Sequence, residues 1–206
     1  MKPLITFEGG EGAGKTTLIR RLASKLEEEG RRVLCTRAPG SLKIGVKIRD
    51  LLLHSSQDEV TPKTELFLFL ADRASHVEKE IRPALDAGKI VLCDRYNDST
   101  VAYQGIARSL GKEEVEKLCD FACSGLKPKL TFYLDIDPEI GLQRAIDVGE
   151  KDRIESEALD FHKKIRSAYL QLAREHPKRI HVLDASKDKD QVFADAWKIL
   201  LPLFHS

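Results

Sequence analysis

The stretch Phe7-Glu8-Gly9-Gly10-Glu11-Gly12-Ala13-Gly14-Lys15-Thr16-Thr17 decides the fold class of this chain. It fits the pattern Gly-x4-Gly-Lys-[Ser/Thr], follows the apolar run 4–7, and opens a segment with Leu18, Leu22 and Leu26 at every fourth position. Glycines allow backbone conformations that are strained for other residues, so that N–H groups and a helix N-terminus can point at an anion. The stretch therefore predicts a phosphate-binding loop between a strand and a helix.

The residues of this loop have separate tasks. Lys15 is expected to reach the β- and γ-phosphates of a nucleoside triphosphate, and the Thr16 hydroxyl is expected to bind Mg²⁺. The other predicted ATP-binding positions are Gly9, Gly10, Glu11, Gly12, Ala13, Gly14 and Thr17. A chance match to the four fixed positions is expected in roughly one percent of chains of this size. The strand before the loop and the helix after it make an accidental match rarer still.

The composition limits the class of protein. The chain has 206 residues, of which 42% are apolar and 33% are charged, with a formal net charge of +1. This length favours a single domain over residues 1–206. The chain has neither a basic stripe nor an acidic tail, so we expect no nucleic-acid partner. Without a long apolar run or room for a signal peptide, we expect no membrane partner and a cytoplasmic location.

The four cysteines are expected to be structural. Cys35 and Cys93 lie in apolar strand candidates, where cysteine usually acts as a small buried apolar residue. Cys119 and Cys123 are four residues apart on a predicted helix, and no second pair or histidine completes a zinc site beside them. Core packing is therefore predicted for all four.

Short apolar runs alternate with helical patterns along the chain. The predicted strands are 4–7, 33–36, 90–93, 130–134 and 180–183. The predicted helices are 15–28, 42–54, 62–87, 98–110, 112–124, 138–148, 155–176 and 188–203. Strands that are apolar on both faces and alternate with helices indicate a parallel sheet covered on each side. We therefore predict an α/β fold of the P-loop NTPase type, with a doubly wound five-stranded parallel sheet and ligands at the carboxyl ends of the strands.

The third predicted strand ends in the tetrapeptide Cys93-Asp94-Arg95-Tyr96. A carboxylate at the end of a strand beside a phosphate loop can bind Mg²⁺ directly or through water. The adjacent arginine can pair with a phosphate through two hydrogen bonds. An ordinary surface ion pair would show the same two residues, so the position in the chain carries the prediction.

Six blocks of sequence occur in an order and spacing that extend over almost the whole chain. They are Phe-Glu-Gly-Gly-Glu-Gly-Ala-Gly-Lys-Thr-Thr at 7–17, Thr-Arg-x-Pro-Gly at 36–40, Ile-Arg-Asp-Leu-Leu-Leu at 48–53, Glu-Leu-Phe-Leu-Phe-Leu-Ala-Asp-Arg at 65–73, Asp-Arg-Tyr-x-x-Ser-Thr-x-Ala-Tyr-Gln-Gly at 94–105, and Asp-Arg-Ile-Glu at 152–155. In these blocks the chain resembles the bacterial thymidylate kinases, in the nucleoside monophosphate kinase group of P-loop proteins. The resemblance implies phosphorylation of dTMP to dTDP for dTTP synthesis, with MgATP as donor, by a homodimer.

The resemblance also implies roles at the reacting phosphates. Arg95 would hold the acceptor phosphate against the γ-phosphate of ATP, and Asp94 would help to bind Mg²⁺. Glu11 would face the deoxyribose 3′-hydroxyl or a water near the metal, and Arg49 would be a second phosphate contact. Arg153 would supply a catalytic cation, as a mobile segment closes and excludes water.

A second set of implied roles concerns the acceptor nucleoside. Phe69 would stack on thymine, Arg73 would donate to a thymine carbonyl, and Tyr103 would crowd the ribose 2′ position. Thr100 and Gln104 would complete the polar edge of the base site. The sequence pattern alone favours a core position for Phe69 and Tyr103 and a solvated helix face for Arg73. These roles therefore rest on the resemblance.

The expected lid, about 144–156, departs from the family pattern. Relatives with a small-residue phosphate loop carry several lid arginines, whereas this chain has Ile146 and Val148 at two of those positions. Arg153, Arg144 and Lys151 are the remaining candidate cations. The activity is therefore expected either to be slow or to draw its cation from another position.

A second departure is the segment 38–42, where the family more often has Glu-Pro-Gly-Gly-Thr. Ala38 replaces a carboxylate that would orient nearby arginines, and Ser41 replaces a glycine that tolerates left-handed geometry. Two alternatives to dTMP phosphorylation remain open. One is a kinase of another nucleotide or deoxynucleoside on the same fold, and the other is a nucleotide-binding regulatory protein with weak turnover.

Overall fold

A computed structural model describes residues 3–56, 59–146 and 152–204, except for the side chain of Ile146. Its centre is a five-stranded sheet in the order β2-β3-β1-β4-β5. The strands are β1 (Leu4–Glu8), β2 (Val33–Arg37), β3 (Ile90–Asp94), β4 (Leu130–Asp135) and β5 (Ile180–Asp184). All four strand pairings are parallel, so the carboxyl ends of the strands lie along one edge of the sheet. The predicted parallel α/β sheet is confirmed.

Helices connect the strands and cover both faces of the sheet. They are α1 (Lys15–Glu28), α2 (Lys43–His54), α3 (Pro62–His76), α4 (Arg82–Asp86), α5 (Asn97–Thr100), α6 (Lys112–Ala122), α7 (Pro138–Ile146), α8 (Leu159–Glu175) and α9 (Lys189–Leu200). Two π-helical segments, Val77–Ile81 and Val101–Ala107, continue α3 and α5, and the 3₁₀ segment Leu201–Phe204 follows α9.

Separate apolar clusters hold the helices on the two faces. On one face, Leu18, Leu22 and Leu26 of α1 pack with the sheet and with α9. The spacing of four residues gives α1 a single apolar stripe, which explains why this sequence forms an amphipathic helix on the sheet. On the other face, α3, α6, α8 and the segment Val101–Ala107 share a second cluster that includes Tyr103 and Tyr169. The second cluster positions the residues of the predicted acceptor site.

The strands run one residue further than predicted from their apolar runs, and four of them end in an acidic residue. These acids are Glu8, Asp94, Asp135 and Asp184. Backbone pairing continues to the edge of the sheet, where Asp94, Asp135 and Asp184 are partly or fully exposed and Glu8 is buried. The segment after residue 152 differs more, since α8 begins at Leu159 rather than at 155 and residues 153–156 form turns.

The prediction that all four cysteines are buried is wrong for Cys35. Cys93, Cys119 and Cys123 are buried, but Cys35 is exposed. It lies on β2, an edge strand of the sheet, so an apolar run there does not imply cover on both faces. Within the described residues, no helix combines the length and the apolar character needed to cross a membrane.

Candidate active site

The phosphate loop lies between β1 and α1, at the carboxyl edge of the sheet. Gly12 and Gly14 have φ angles of +63° and +86°, which glycine adopts without strain. The ammonium of Lys15 folds back over the loop and donates to the carbonyl oxygens of Gly9 and Gly10 at 3.1 and 2.8 Å. Helix α1 begins at Lys15, so its N-terminus faces the same space. The segment has the geometry of an anion cradle.

A close contact with α7 sets the position of the loop. A Cβ added at Gly12 would lie 2.1 Å from the carbonyl oxygen of Gly141, and one at Gly141 would lie 2.5 Å from the carbonyl oxygen of Glu11. Both positions therefore need glycine for the backbones to approach. Gly141 was not singled out from the sequence, because its neighbours in space lie far away along the chain.

The geometry at Thr16 and Asp94 fits a magnesium ion. Asp94 ends β3, and one of its carboxylate oxygens accepts a hydrogen bond from the Thr16 hydroxyl at 3.5 Å. The other oxygen, Oδ1, is buried and has no partner among the described residues. A hydroxyl and a carboxylate beside a phosphate loop are the oxygen ligands that Mg²⁺ prefers. These two residues would hold the ion.

Arg95 lies directly after β3, and its guanidinium contacts Glu11, Ser99 and Tyr103. Its φ angle is +67°, and its backbone N–H donates to the carbonyl of Phe7 at 2.9 Å. One terminal nitrogen pairs with Glu11, while the other donates to Ser99 Oγ and to the Tyr103 hydroxyl, both at 3.3 Å. An unfavourable backbone angle held in this way directs a rigid cation to one place.

Arg73 and Thr100, which were predicted to contact the base, are both buried. Arg73 is 2% exposed, donates to the backbone carbonyl of Arg95 at 3.3 Å, and stacks over the ring of Tyr96 at 4.4 Å. Its Nε has no partner among the described residues. Thr100 is 3% exposed and interacts with the thiol of Cys119. In this conformation Arg73 supports Arg95. Direct contact of Arg73 or Thr100 with a base stays a prediction.

Two adjacent cavities share a charged boundary. One, which we call the phosphate cavity, extends along the phosphate loop and is lined by Lys15, Thr16 and Asp94 among others. The other, which we call the acceptor cavity, is bordered by Phe69, Tyr103 and Gln104. Its apolar walls are Pro39, Leu53 and Ile154. Both are lined by Glu11, Arg49 and Arg95. Two negatively charged groups entering from opposite sides would therefore meet at the same two cations.

A third cavity continues the row on the other side of the loop. It is lined by Ala13, Thr17, Arg21, Arg144 and Ala185, with further residues from the segment after β5. Arg144 bridges the two sides by donating to the carbonyl of Ala185 at 3.2 Å. Backbone groups and cations around an open space next to a phosphate loop suit a purine base and its ribose.

Arg153, the predicted lid cation, is buried and turned toward α2 and α3. Its Nη2 pairs with Glu65 at 2.6 Å, and its Nε donates to the carbonyl of Leu52 at 2.8 Å. Its side chain is 5% exposed. These contacts anchor the turn after residue 152, and a catalytic role for Arg153 stays a prediction. The two substituted lid positions, Ile146 and Val148, lie outside the described side chains.

The altered segment 38–42 keeps its fold by other means. The left-handed conformation occurs at Gly40, with φ of +105°, and not at Ser41. The N–H of Gly40 donates to the buried carboxylate of Asp72 at 3.2 Å, and Arg49 donates to the carbonyl of Pro39 at 3.3 Å. The expected problem at Ser41 is therefore absent from the backbone. Ala38 is buried and borders the phosphate cavity.

Comparison with known proteins places this arrangement in a family. A thymidylate kinase family model matches residues 7–196. The chain belongs to the thymidylate kinase family. It is 49% identical to the thymidylate kinase of Syntrophotalea carbinolica, over 96% of this chain and 94% of that protein. The corresponding enzyme of Protochlamydia amoebophila is 46% identical, over 95% and 91%.

A solved structure supports the same assignment. The crystal structure of thymidylate kinase from Ehrlichia chaffeensis superposes with a TM-score of 0.80 at 30% identity, covering 97% of this chain and 98% of the other. The P-loop NTPase fold and the family resemblance predicted from the sequence are thereby confirmed. The roles of individual residues stay predictions.

Several residues of the site were not predicted from the sequence. Asp152, Ile154 and Glu155 border the acceptor cavity, although only their neighbour Arg153 was given a role. Glu65 is 1% exposed at the first turn of α3, where a solvated acid is usual. One signal was available, since Glu65, Phe69 and Arg73 are spaced by four and so share a helix face.

Glu8 is a buried carboxylate directly before the phosphate loop. It is 0% exposed and accepts hydrogen bonds from the backbone N–H of Tyr96 at 2.7 Å, from the Ser99 hydroxyl, and from the Tyr169 hydroxyl at 3.3 Å. Burial raises the pKa of Glu8 to about 7, and the nearby charge of Asp98 acts in the same direction. The protonation state of this group therefore changes near neutral pH.

Glu8→Gln is predicted to remove part of the pH dependence of stability. Between the unfolded pKa of 4.5 and the native pKa of about 7, the native protein keeps a proton that the unfolded chain has lost. The contribution of Glu8 to the free energy of unfolding is therefore full below this window and falls by about 3 kcal/mol as the pH rises through it. Urea unfolding of both proteins from pH 5 to 8 measures the difference, and parallel curves would contradict the prediction.

Proposed function

We propose that this chain transfers the γ-phosphoryl group of ATP to dTMP, with dTDP and ADP as products. The observation that carries the proposal is the shared boundary of the two cavities, which both include Arg49, Arg95 and Glu11. A donor phosphate on the loop and an acceptor phosphate in the second cavity would meet beside Arg95. Family membership supports the same reaction, because the relatives bear the name thymidylate kinase.

Transfer of a phosphoryl group depends mainly on positioning and charge. Lys15 and the loop N–H groups bind the β- and γ-phosphates of ATP, and Arg95 aligns the acceptor oxygen with the γ-phosphorus. Thr16 and Asp94 would hold Mg²⁺, which neutralises charge on the phosphate oxygens when it is bound. The attacking group is already an anion, so no side chain has to remove a proton from it.

The second cavity supports a pyrimidine deoxynucleotide as acceptor. Phe69 offers an apolar ring for stacking, and the amide of Gln104 offers a polar group at its edge. Tyr103 is 6% exposed, and its hydroxyl is fixed by Arg95, so the ring cannot easily move away from a ribose 2′-hydroxyl. This rigidity favours a deoxyribose over a ribose.

The proposal is tested by measuring ADP formation from MgATP with dTMP, dUMP, dCMP, dGMP or no acceptor. A strong dependence on dTMP is expected. A preference for another acceptor would transfer the assignment to a different nucleotide kinase. ATP binding without acceptor-dependent ADP formation would favour a regulatory protein. A lid at about 144–156 and a cytoplasmic location stay predictions.

A homodimer through α2, α3 and α6 is part of the proposal. Phe121 on α6 is 85% exposed, Phe67 on α3 is 59% exposed and Leu51 on α2 is 51% exposed. Helix α3 packs against both α2 and α6, so the three residues belong to neighbouring helices. Leu66, which precedes Phe67 on α3, is buried within the chain. Exposed aromatic residues on adjacent helices suit a two-fold interface.

Phe67→Asp combined with Phe121→Asp is predicted to give a monomer. Each charge would be buried twice in a symmetric interface, and each lost aromatic contact removes about 2 kcal/mol of apolar burial. Sedimentation equilibrium at micromolar concentration measures the change. Val182→Asp, at a 46% exposed position on the edge strand β5, is the matched control and should leave the mass unchanged. A dimeric double variant would argue against this interface.

A further inference from the structure

The carboxylate of Glu65 collects hydrogen bonds from three side chains in the interior. It accepts from Gln104 Nε2 at 2.8 Å, from Arg108 Nε and Nη2 at 3.2 Å each, and from Arg153 Nη2 at 2.6 Å. Burial by itself would raise the pKa of Glu65, but the bonds and charges of Arg108, Gln104 and Arg153 lower it. Glu65 is therefore ionised and acts only as an acceptor.

This charge determines the orientation of the Gln104 amide. An amide has one donor end and one acceptor end, and only the NH₂ end can bind an ionised carboxylate. The carbonyl oxygen of Gln104 must then point away from Glu65. Gln104 is 1% exposed and borders the acceptor cavity, so its amide has little freedom to rotate.

We propose that Glu65 is a positioning residue that turns the carbonyl oxygen of Gln104 toward the acceptor base and so selects a base with an N3–H donor. The inference rests on the proposed function, because it concerns the acceptor of that reaction. Thymine and uracil carry a hydrogen on N3, whereas cytosine has a lone pair there. A carbonyl oxygen facing that lone pair would leave two buried acceptors without a donor.

The same carboxylate connects the base site to the turn after residue 152. Arg153 also donates to the carbonyl of Leu52, and Arg108 pairs with Glu157 at 2.6 Å. Glu65 thus joins α2, α3, the segment Val101–Ala107 and the turn after residue 152. Since every one of these donors is largely buried, no solvent molecule can easily replace the carboxylate.

The test is Glu65→Gln, which keeps the size of the side chain but allows the Gln104 amide to turn over. The measurement is kcat and KM for dTMP, dUMP and dCMP at saturating MgATP. We expect the ratio of kcat/KM for dTMP to that for dCMP to fall about 10- to 100-fold, mainly through KM. The ratio of dTMP to dUMP should stay constant, because both bases carry the N3–H. A general loss of structure would instead lower kcat/KM for dTMP, dUMP and dCMP together and leave their ratios unchanged.

Glu157→Gln is the matched control. It makes the same chemical change and also removes a carboxylate partner of Arg108, whereas the Gln104 amide donates to Glu65. It should leave the dTMP-to-dCMP ratio within about threefold of the wild type. An unchanged ratio in Glu65→Gln, or the same loss in Glu157→Gln, would overturn the role of Glu65.

The wild-type protein provides an independent check if Glu65→Gln does not fold. Equal use of dTMP and dCMP by the wild type would overturn the inferred amide orientation while leaving kinase activity intact. If no acceptor is phosphorylated, the proposed function fails, and calorimetric dissociation constants for dTMP and dCMP then test the orientation alone. Tighter binding of dTMP supports it, and equal binding overturns it.

Discussion

Arg95→Met is expected to lower kcat/KM for dTMP by a factor of at least about 10³ at saturating ATP. The guanidinium borders both cavities and is held between Glu11, Ser99 and Tyr103. Methionine fills a similar volume but has neither the charge nor the donors that the acceptor phosphate would meet. The loss should affect acceptor turnover far more than the dissociation constant of ATP, which is measured separately by calorimetry.

Arg95→Lys separates charge from geometry. A lysine ammonium keeps the charge but cannot donate to two partners from a rigid, planar group. We therefore expect kcat/KM for dTMP to fall about 10²-fold. The φ angle of +67° is equally strained for methionine and lysine, so both variants should have similar melting temperatures. A methionine variant with more than a tenth of the wild-type activity would show that another cation aligns the acceptor.

The sheet and most helices were predictable from the sequence because their signals are local. Helix α1 begins at the lysine of the phosphate loop, and its leucines recur every fourth residue. Each strand is an apolar run, and only its last, polar residue was left out. Helix α8 was assigned too early because the carboxylate of Asp152 accepts hydrogen bonds from the N–H groups of Ile154 and Glu155, which forms a turn.

The buried charges of the site were not predictable in the same way. Glu65 and Arg153 are separated by 88 positions in the chain, and each looks like a surface residue when it is considered alone. Their burial depends on mutual neutralisation, which only the folded arrangement supplies. The resemblance to relatives indicated Arg153 through its sequence block, but it could not indicate which way the side chain points.

Arg73 illustrates a second limit. The resemblance gave it a contact with the base, whereas the described contacts connect it to the carbonyl of Arg95 and the ring of Tyr96. Either role would place Arg73 in the same sequence block, whether its side chain supports Arg95 or touches the substrate. Sequence similarity alone therefore does not separate a binding role from a supporting one.

Lys15→Met is expected to lower kcat by at least about 10³-fold and to weaken ATP binding, without unfolding the protein. Burial lowers the pKa of Lys15, and the charge of Arg95 acts in the same direction, so the native fold holds this cation at a cost. The loop itself depends on its glycines and on the close contact of Gly12 with Gly141. Methionine removes the charge and its two hydrogen bonds to the carbonyls of Gly9 and Gly10, and leaves those features in place.

The stability of Lys15→Met distinguishes a catalytic cation from a structural one. The melting temperature should equal or exceed that of the wild type, because an uncompensated part of the burial cost is removed. Lys25→Met is the matched control on the same helix, since Lys25 is partly exposed and pairs with the exposed Glu28 at 3.3 Å. It should change kcat less than about twofold. A large fall in melting temperature in Lys15→Met, with activity lost in proportion, would instead mean that the ammonium holds the loop together.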